Sequence, residues 1–254
     1  MKIKNPLILL FTLISTLIAT AQAPKADIIT SDEGNITIQP ITHGTLVLEW
    51  KGKTIYVDPY GGADAFKGLA TPDIILITDI HGDHLNLETL KGLDTKKAVF
   101  VVPPAVADIL KKEGYEKQLA IVRNGGMHIE GEIFINAMPM YNLPEDNTSR
   151  HPQGRGNGYF LNLGGKGIYI SGDTEDIREM RKLIGVDVAF ICMNLPYTMS
   201  VEQAASAVLE FKPKIVYPYH YRGNPDMSDT EVFKKLVNDK NQKIEVRLRD
   251  WYSN

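Results

Sequence analysis

Ile74-Ile75-Leu76-Ile77-Thr78-Asp79-Ile80-His81-Gly82-Asp83-His84-Leu85 is the stretch that decides the fold of this chain. Its apolar half reads as a strand buried on both faces, and that strand stops at Thr78. Four side chains able to bind a metal follow within six residues: Asp79, His81, Asp83 and His84. Imidazole and carboxylate are the donors that suit zinc, iron or manganese in hydrolytic sites. Buried charges must be paired or coordinate an ion, so a group this dense converges on something charged or faces water.

Two later stretches repeat the design. Ile168-Tyr169-Ile170-Ser171-Gly172 leads to Asp173, and Ile215-Val216-Tyr217-Pro218-Tyr219 leads to His220. A fourth place is the loop 141–158, which carries His151. Strand ends on a rigid sheet can hold ligands closely enough for a metal to bind with little reordering.

Around these points the chain alternates between strands and helices. Ile36-Thr37-Ile38, Thr45 onward to Trp50 and Thr54-Ile55-Tyr56-Val57 read as strands. Asp58-Pro59-Tyr60-Gly61-Gly62 stops the last of them. Residues 87–93 and 105–113 have helical spacing, the second ending at Gly114. Strands are expected at 99–102, 133–137, 158–163 and 186–193, and Ser200, with Glu202 and Gln203 nearby, opens a helix to Phe211. Strands first, then strands mixed with helices, predict sheet packed on sheet with helices outside.

Composition sets the remaining bounds. Of 254 residues, 43% are hydrophobic and 23% charged, the profile of a soluble globular protein. A net charge of -3 gives no electrostatic reason to expect nucleic acid as a partner. Met1-Lys2-Ile3-Lys4, the apolar run 7–18 and Ala21-Gln22-Ala23 have the form of a signal peptide over 1–23. The apolar run is shorter than the roughly 20 residues of a membrane span, and no cysteine near the cut suggests a lipid anchor. The expectation is therefore an exported, periplasmic protein with one domain over 24–254 and no stable membrane span after cleavage. Cys192, the one cysteine, cannot form an intramolecular disulfide and sits in a buried-strand pattern, where it reads as a small core hydrophobe.

Thr78-Asp79-Ile80-His81-Gly82-Asp83-His84, then Gly172-Asp173-Thr174, then His220 resembles the metallo-β-lactamase fold superfamily of metal-dependent hydrolases. His43-Gly44-Thr45, Asp58-Pro59, Tyr141-Asn142, His151-Pro152 and Gly158-Tyr159 resemble the branch of ascorbate-phosphate lactonases and N-acyl-phosphatidylethanolamine phospholipases. The resemblance implies an α/β (α+β) fold, a four-layer αββα sandwich with two divalent metal ions at one edge: zinc or manganese, with iron possible. The superfamily motif is His-x-His-x-Asp-His, and Asp79 stands where its first histidine would be. By resemblance, Asp79, His81 and a third histidine hold one ion, Asp83, His84 and His220 hold the other, and Asp173 bridges them. The third histidine is His151 or His128, and the His-Pro setting favours His151. His43 is either oriented toward a ligand or substrate or purely structural. Asp58 either orients a ligand or caps the turn at Pro59.

The function so implied is hydrolysis of an ester, lactone, amide or phosphodiester bond in a small-molecule or lipid-like substrate. Asp83 or Asp173 would orient the water and handle its proton. Arg150, Arg155 and Arg222 flank His151 and His220 and are candidates to meet an anionic group on the substrate. Two other readings remain open: a di-iron redox protein, which a carboxylate in the motif suggests, and a metal-binding protein without turnover. Asp79→His is expected to raise zinc occupancy if the first site is live. Oligomeric state is not legible.

Overall fold

The computed structural model describes residues 25–146 and 148–252, so the expected signal peptide at 1–23 lies outside the described residues. The first sheet opens with strands β1 (Asp27–Ser31), β2 (Gly34–Thr42), β3 (Thr45–Trp50) and β4 (Lys53–Val57), each antiparallel to its neighbour. Strands β5 (Ile74–Leu76), β6 (Val99–Val102) and β7 (Leu119–Ile121) then extend it in parallel. Parallel neighbours need crossovers, which are supplied here by helices α1 (Leu87–Gly92) and α2 (Pro104–Lys112).

The second sheet follows the same plan. Strands β8 (Met127–Glu130), β9 (Ile133–Met138), β10 (Gly158–Leu163) and β11 (Lys166–Ile170) are antiparallel. Strands β12 (Val188–Cys192), β13 (Ile215–Tyr219) and β14 (Glu245–Val246) continue in parallel, and helices α3 (Arg178–Arg181), α4 (Val201–Phe211) and α5 (Thr230–Asn238) lie in the crossovers. The two halves share a topology that no repeat in the sequence betrays. A strand order needs only matching patterns of apolar residues and turns, not matching residues.

Strand alternation sorts the core into layers. Ile55, Val57, Ile74, Leu76 and Val101 face the second sheet, where Ile135, Leu161, Ile168 and Ile170 meet them. Tyr56, Ile75, Ile77, Phe100 and Val102 face the other way, onto Leu90 of α1 and Val106 and Leu110 of α2. This two-sided burial is why 74–77 is apolar without interruption. Cys192 is fully buried on β12, and burial pushes its thiol up to about 11, as befits a core position.

Helix α4 begins as its sequence predicts, with Ser200 and Gln203 forming a reciprocal capping box. Strand β13 runs through Pro218 to Tyr219. Strand β14 pairs only with Ile215 and Val216, so the proline's missing N–H falls where the neighbour has already ended. The helix α5, capped by Asp229, and the strands β1, β7, β8 and β14 are additions to the pattern read from sequence. Among the described residues no helix is long and apolar enough to cross a membrane.

Candidate metal centre

The parallel strands of both sheets deliver their carboxyl ends to one edge, the usual place for a site in sheets of this kind. From β5 the chain turns so that His81 O accepts from the backbone N–H of His84 (3.0 Å) and of Leu85 (2.8 Å). Asn86 then caps α1, which fixes the far end of the turn. Asp173 follows Gly172 at the end of β11, and Gly172 has φ +61°, a left-handed backbone that favours glycine. His220 ends β13, and its N–H donates to His43 O at 3.1 Å.

His43, Asp58 and His220 are themselves left-handed, with φ of 55°, 44° and 46°. Such residues cost about 1–3 kcal/mol each and persist only where their surroundings over-determine them. Here the surroundings do. The Asp58 carboxylate accepts from Thr78 N (2.7 Å) and Thr78 Oγ1 (2.6 Å), and its Oδ2 is 2.8 Å from His84 Nδ1. Gly44 lies so close to His220 that a Cβ on it would stand 2.9 Å from the imidazole Cδ2.

All seven residues expected as ligands come together. His84 Nε2 lies 3.3 Å from Asp173 Oδ2 and 3.2 Å from His220 Nε2, and His220 Nε2 lies 3.3 Å from Asp173 Oδ1. Asp83 Oδ2 is 3.5 Å from His220 Nε2. On the other side, Asp79 Oδ2 is 2.8 Å from His81 Nδ1 and 3.9 Å from His151 Nε2, which stands 3.2 Å from Asp173 Oδ2. Asp79, His81 and His151 thus form one convergent group and His84, Asp173 and His220 another, with the Asp173 carboxylate between them. His43 adds a third overlapping set with Asp83 and His220.

These residues fit divalent ions. Tetrahedral ligands about 2.1 Å from a zinc ion stand about 3.4 Å apart, close to the spacings between these donor atoms. Asp58 Oδ2 accepts from His84 Nδ1 at 2.8 Å, and Asn142 Oδ1 lies 3.0 Å from Nδ1 of His151. Each leaves an Nε2 facing the centre, the carboxylate–histidine or carbonyl–histidine pairing typical of metal ligands. His151 Nε2 and Asp173 Oδ1 are buried with no hydrogen-bond partner. Two buried polar atoms on the rim of the two groups are thus left without a hydrogen-bond partner, as a place for a cation would leave them.

The charges agree. Burial opposes the ionised form of Asp173, yet His220 and His84 hold its carboxyl well below the usual range. Burial likewise works against a charged His84, but Asp173 and Asp58 raise it well above the ordinary histidine value. Without metal, then, these carboxylates favour the charged form of His84. Metal binding must expel its extra proton. Zinc titrated calorimetrically at pH 7 in buffers of different ionisation enthalpy is expected to release at least one proton, with affinity rising as pH rises. Equal heats in all buffers would contradict this charge state.

The supporting contacts are made over long sequence separations, and Asn194 with Thr198 is not signalled by the sequence. His43 bridges Asp83 Oδ2 (3.0 Å) and the Tyr252 hydroxyl (2.8 Å), so it orients the Asp83 carboxylate. The Asn194 carboxamide lies 3.0 Å from His220 Nδ1 and is tied in turn to Thr198. Asn142 is aligned by donating to Glu175 Oε1 and Tyr197 O. Separations of up to 209 residues put such pairs beyond any local pattern.

Arg155 has a different place from the one its position suggested. Its Nε and Nη2 grip Asp79 Oδ1 and Oδ2 at 3.0 and 2.8 Å, so it serves the first group and not a substrate anion. Arg150 and Arg222 instead line a cavity of about 260 Å³ with His43, His81, Asp83 and His220.

His128 lies on β8, 3.3 Å from Glu130 Oε2, and joins none of the convergent groups. His151→Ala is expected to lower bound metal by about one ion per chain, while His128→Ala leaves it unchanged. Elemental analysis of both variants after gel filtration decides this. Equal metal content would exclude His151 as a ligand.

Comparison with known proteins places this geometry. Residues 37–220 match the family profile described as a beta-lactamase superfamily domain. A UPF0173 metal-dependent hydrolase of Lysinibacillus sphaericus is 32% identical over 223 residues, covering 81% of this chain and 92% of its own. A Pyrococcus abyssi protein of the same description is 30% identical over 216 residues, covering 81% and 93%. Among solved structures, a candidate metal-dependent hydrolase from Parabacteroides distasonis superposes with a TM-score of 0.79 at 34% identity, covering 90% of this chain and 100% of that one.

Proposed function

The chain belongs to the beta-lactamase superfamily and is a metal-dependent hydrolase, and from that premise we propose that a pair of divalent ions at this edge serves hydrolysis of an ester, lactone, amide or phosphodiester bond. The observation that carries the reading is the Asp173 carboxylate, shared between two groups of imidazole and carboxylate donors, with an orphaned buried oxygen and an orphaned His151 Nε2 beside it. Asp79, His81 and His151 would hold one ion, and Asp83, His84 and His220 the other, with Asp173 between. Bound ions of this kind lower the pKa of a water to near neutral and polarise the electrophile. The mixed oxygen and nitrogen donor set suits zinc or manganese.

The protein's own groups do the rest. Asp83 is the cluster's most accessible carboxylate, its side chain 34% exposed to the cavity. Burial would raise its pKa, but hydrogen bonds from His220 and His43 hold it far below the usual range, so it stays ionised and is placed to orient a water rather than to keep its proton. His43, fixed by Tyr252, sets the direction of that carboxylate. Asp173, almost wholly buried, is kept from solvent and serves to space the two groups.

A cavity of about 260 Å³ is smaller than the roughly 300–1,000 Å³ of a pocket that encloses a whole ligand. It admits the scissile group and its immediate neighbours, and the remainder of a small-molecule or lipid-like substrate would lie outside. We further propose that residues 1–23 direct export to the periplasm. The test of the function is elemental analysis of the purified mature chain, joined to assay against a panel of chromogenic esters, lactones and phosphodiesters. About two ions per chain and metal-dependent turnover support the reading. No bound metal after reconstitution with zinc, manganese and iron would defeat it.

A further inference from the structure

We propose that Arg150 and Arg222 form an oxyanion subsite beside the metal centre, so that the substrate carries a phosphate or carboxylate next to the bond that is cleaved. The inference rests on the hydrolase reading and names the substrate class for that site. Arg150 comes immediately before His151 and Arg222 two residues after His220, so each guanidinium is tethered to a different ligand group. Both line the same small cavity.

Neither is spent on the protein's own acids. Arg155 is taken by Asp79, Arg181 by Asp176 and Glu210, and Arg247 by Glu245, whereas Arg150 and Arg222 have no carboxylate within ion-pair distance among the described residues. Each is held instead by an aromatic face. Arg150 lies 4.4 Å from the centroid of Tyr197, and Arg222 lies 4.3 Å from that of Tyr252. Stacking fixes the plane of a guanidinium while leaving its edge N–H donors free for a bidentate anion.

The two tyrosines are in turn anchored to the site. The Tyr252 hydroxyl contacts His43 Nδ1 and accepts from Arg222 N at 3.1 Å, while Tyr197 N donates to Asn194 O at 2.9 Å. The same residues that orient the ligands therefore orient the two cations. A phosphate and a carboxylate both present the paired oxygens that such a fork recognises.

Calorimetric titration of the zinc-loaded protein with inorganic phosphate and, separately, malonate tests this. Arg150→Gln and Arg222→Gln are each expected to weaken the tighter anion at least tenfold with zinc content unchanged, and Arg178→Gln, on α3, to leave it unaltered. Preference for phosphate or for malonate assigns the anion. Anion binding that stays within twofold of wild type in both variants would mean that the metals alone hold it, and the subsite would be refuted. So would absence of binding to the wild type. Failure of the zinc-loaded protein to hydrolyse any ester, lactone, amide or phosphodiester removes the proposed hydrolysis separately, because the titration needs no turnover.

Discussion

Replacing Asp173 with alanine should strip the protein of tightly held metal and lower turnover by about three orders of magnitude, with the fold retained. One carboxylate serves both groups: Oδ2 stands 3.2 Å from His151 Nε2 and 3.3 Å from His84 Nε2, and Oδ1 is 3.3 Å from His220 Nε2. Its loss removes a shared donor and the negative charge that makes a cluster of imidazoles attractive to a cation. Metal assistance is worth several kcal/mol of transition-state stabilisation, and at about 1.4 kcal/mol per decade that is about 10³ in rate. The fold should survive because β11 is held on both sides, by five register pairs to β10 and three to β12. Thermal unfolding separates the two effects. Zinc at about 100 times its Kd adds about 2.7 kcal/mol to the wild type, about 5–10 °C in Tm for a domain of this size. The variant should show no such rise. A folded Asp173→Ala protein that keeps both its zinc and its turnover would overturn the shared-ligand geometry.

The part of this centre that was legible in the sequence is the part encoded locally. Apolar strands that stop at a ligand are contiguous along the chain, so Asp79, His81, Asp83, His84, Asp173 and His220 could be read from the residues beside them. Helix α4 was legible for the same reason, since its capping box is written within four residues. The supports were legible only in part, with Asp58 and His43 each left between two roles and Asn194 not read at all. Asp58 meets His84 across 26 residues and Asn194 meets His220 across 26, so the partner of each is not written in local periodicity. His43 was left undecided between structure and function because its partners, Asp83 and Tyr252, come from opposite ends of the chain. Arg155 was misplaced for a related reason. Nearness to His151 suggested a cation for the substrate's anionic group, whereas the loop 141–158 folds it back onto Asp79. Loop conformation is set by tertiary contacts, here including the Asn157 N–H donating to Thr78 O at 2.9 Å.

That ion pair changes what the substitution at the head of the motif should do. Asp79→His looks from the sequence like a restoration of the superfamily's ligand, and higher zinc occupancy would be its natural consequence. The structure predicts the opposite for the single substitution. Asp79 is fully buried, and Arg155, its side chain only 21% exposed, binds both carboxylate oxygens. An imidazole in that place leaves the guanidinium without its acid and next to a site for a second cation. Two unit charges at about 4 Å repel by about 4 kcal/mol at an effective dielectric of 20, more than the gain from exchanging one good ligand for another. Asp79→His alone should therefore lower occupancy of the first site, by an amount seen as a loss approaching one ion per chain. Arg155→Met keeps the aliphatic stem and removes the charge. Combined with Asp79→His, it should raise first-site zinc above the wild type, since three imidazoles then face the ion with no competing cation. The two changes share one contact, so their effects should be strongly non-additive. Elemental analysis of the wild type, both single variants and the double variant, each with Tm measured with and without chelator, completes the cycle. If Asp79→His alone matches the double variant in zinc content, Arg155 exerts no control over the first site, and the charge argument fails.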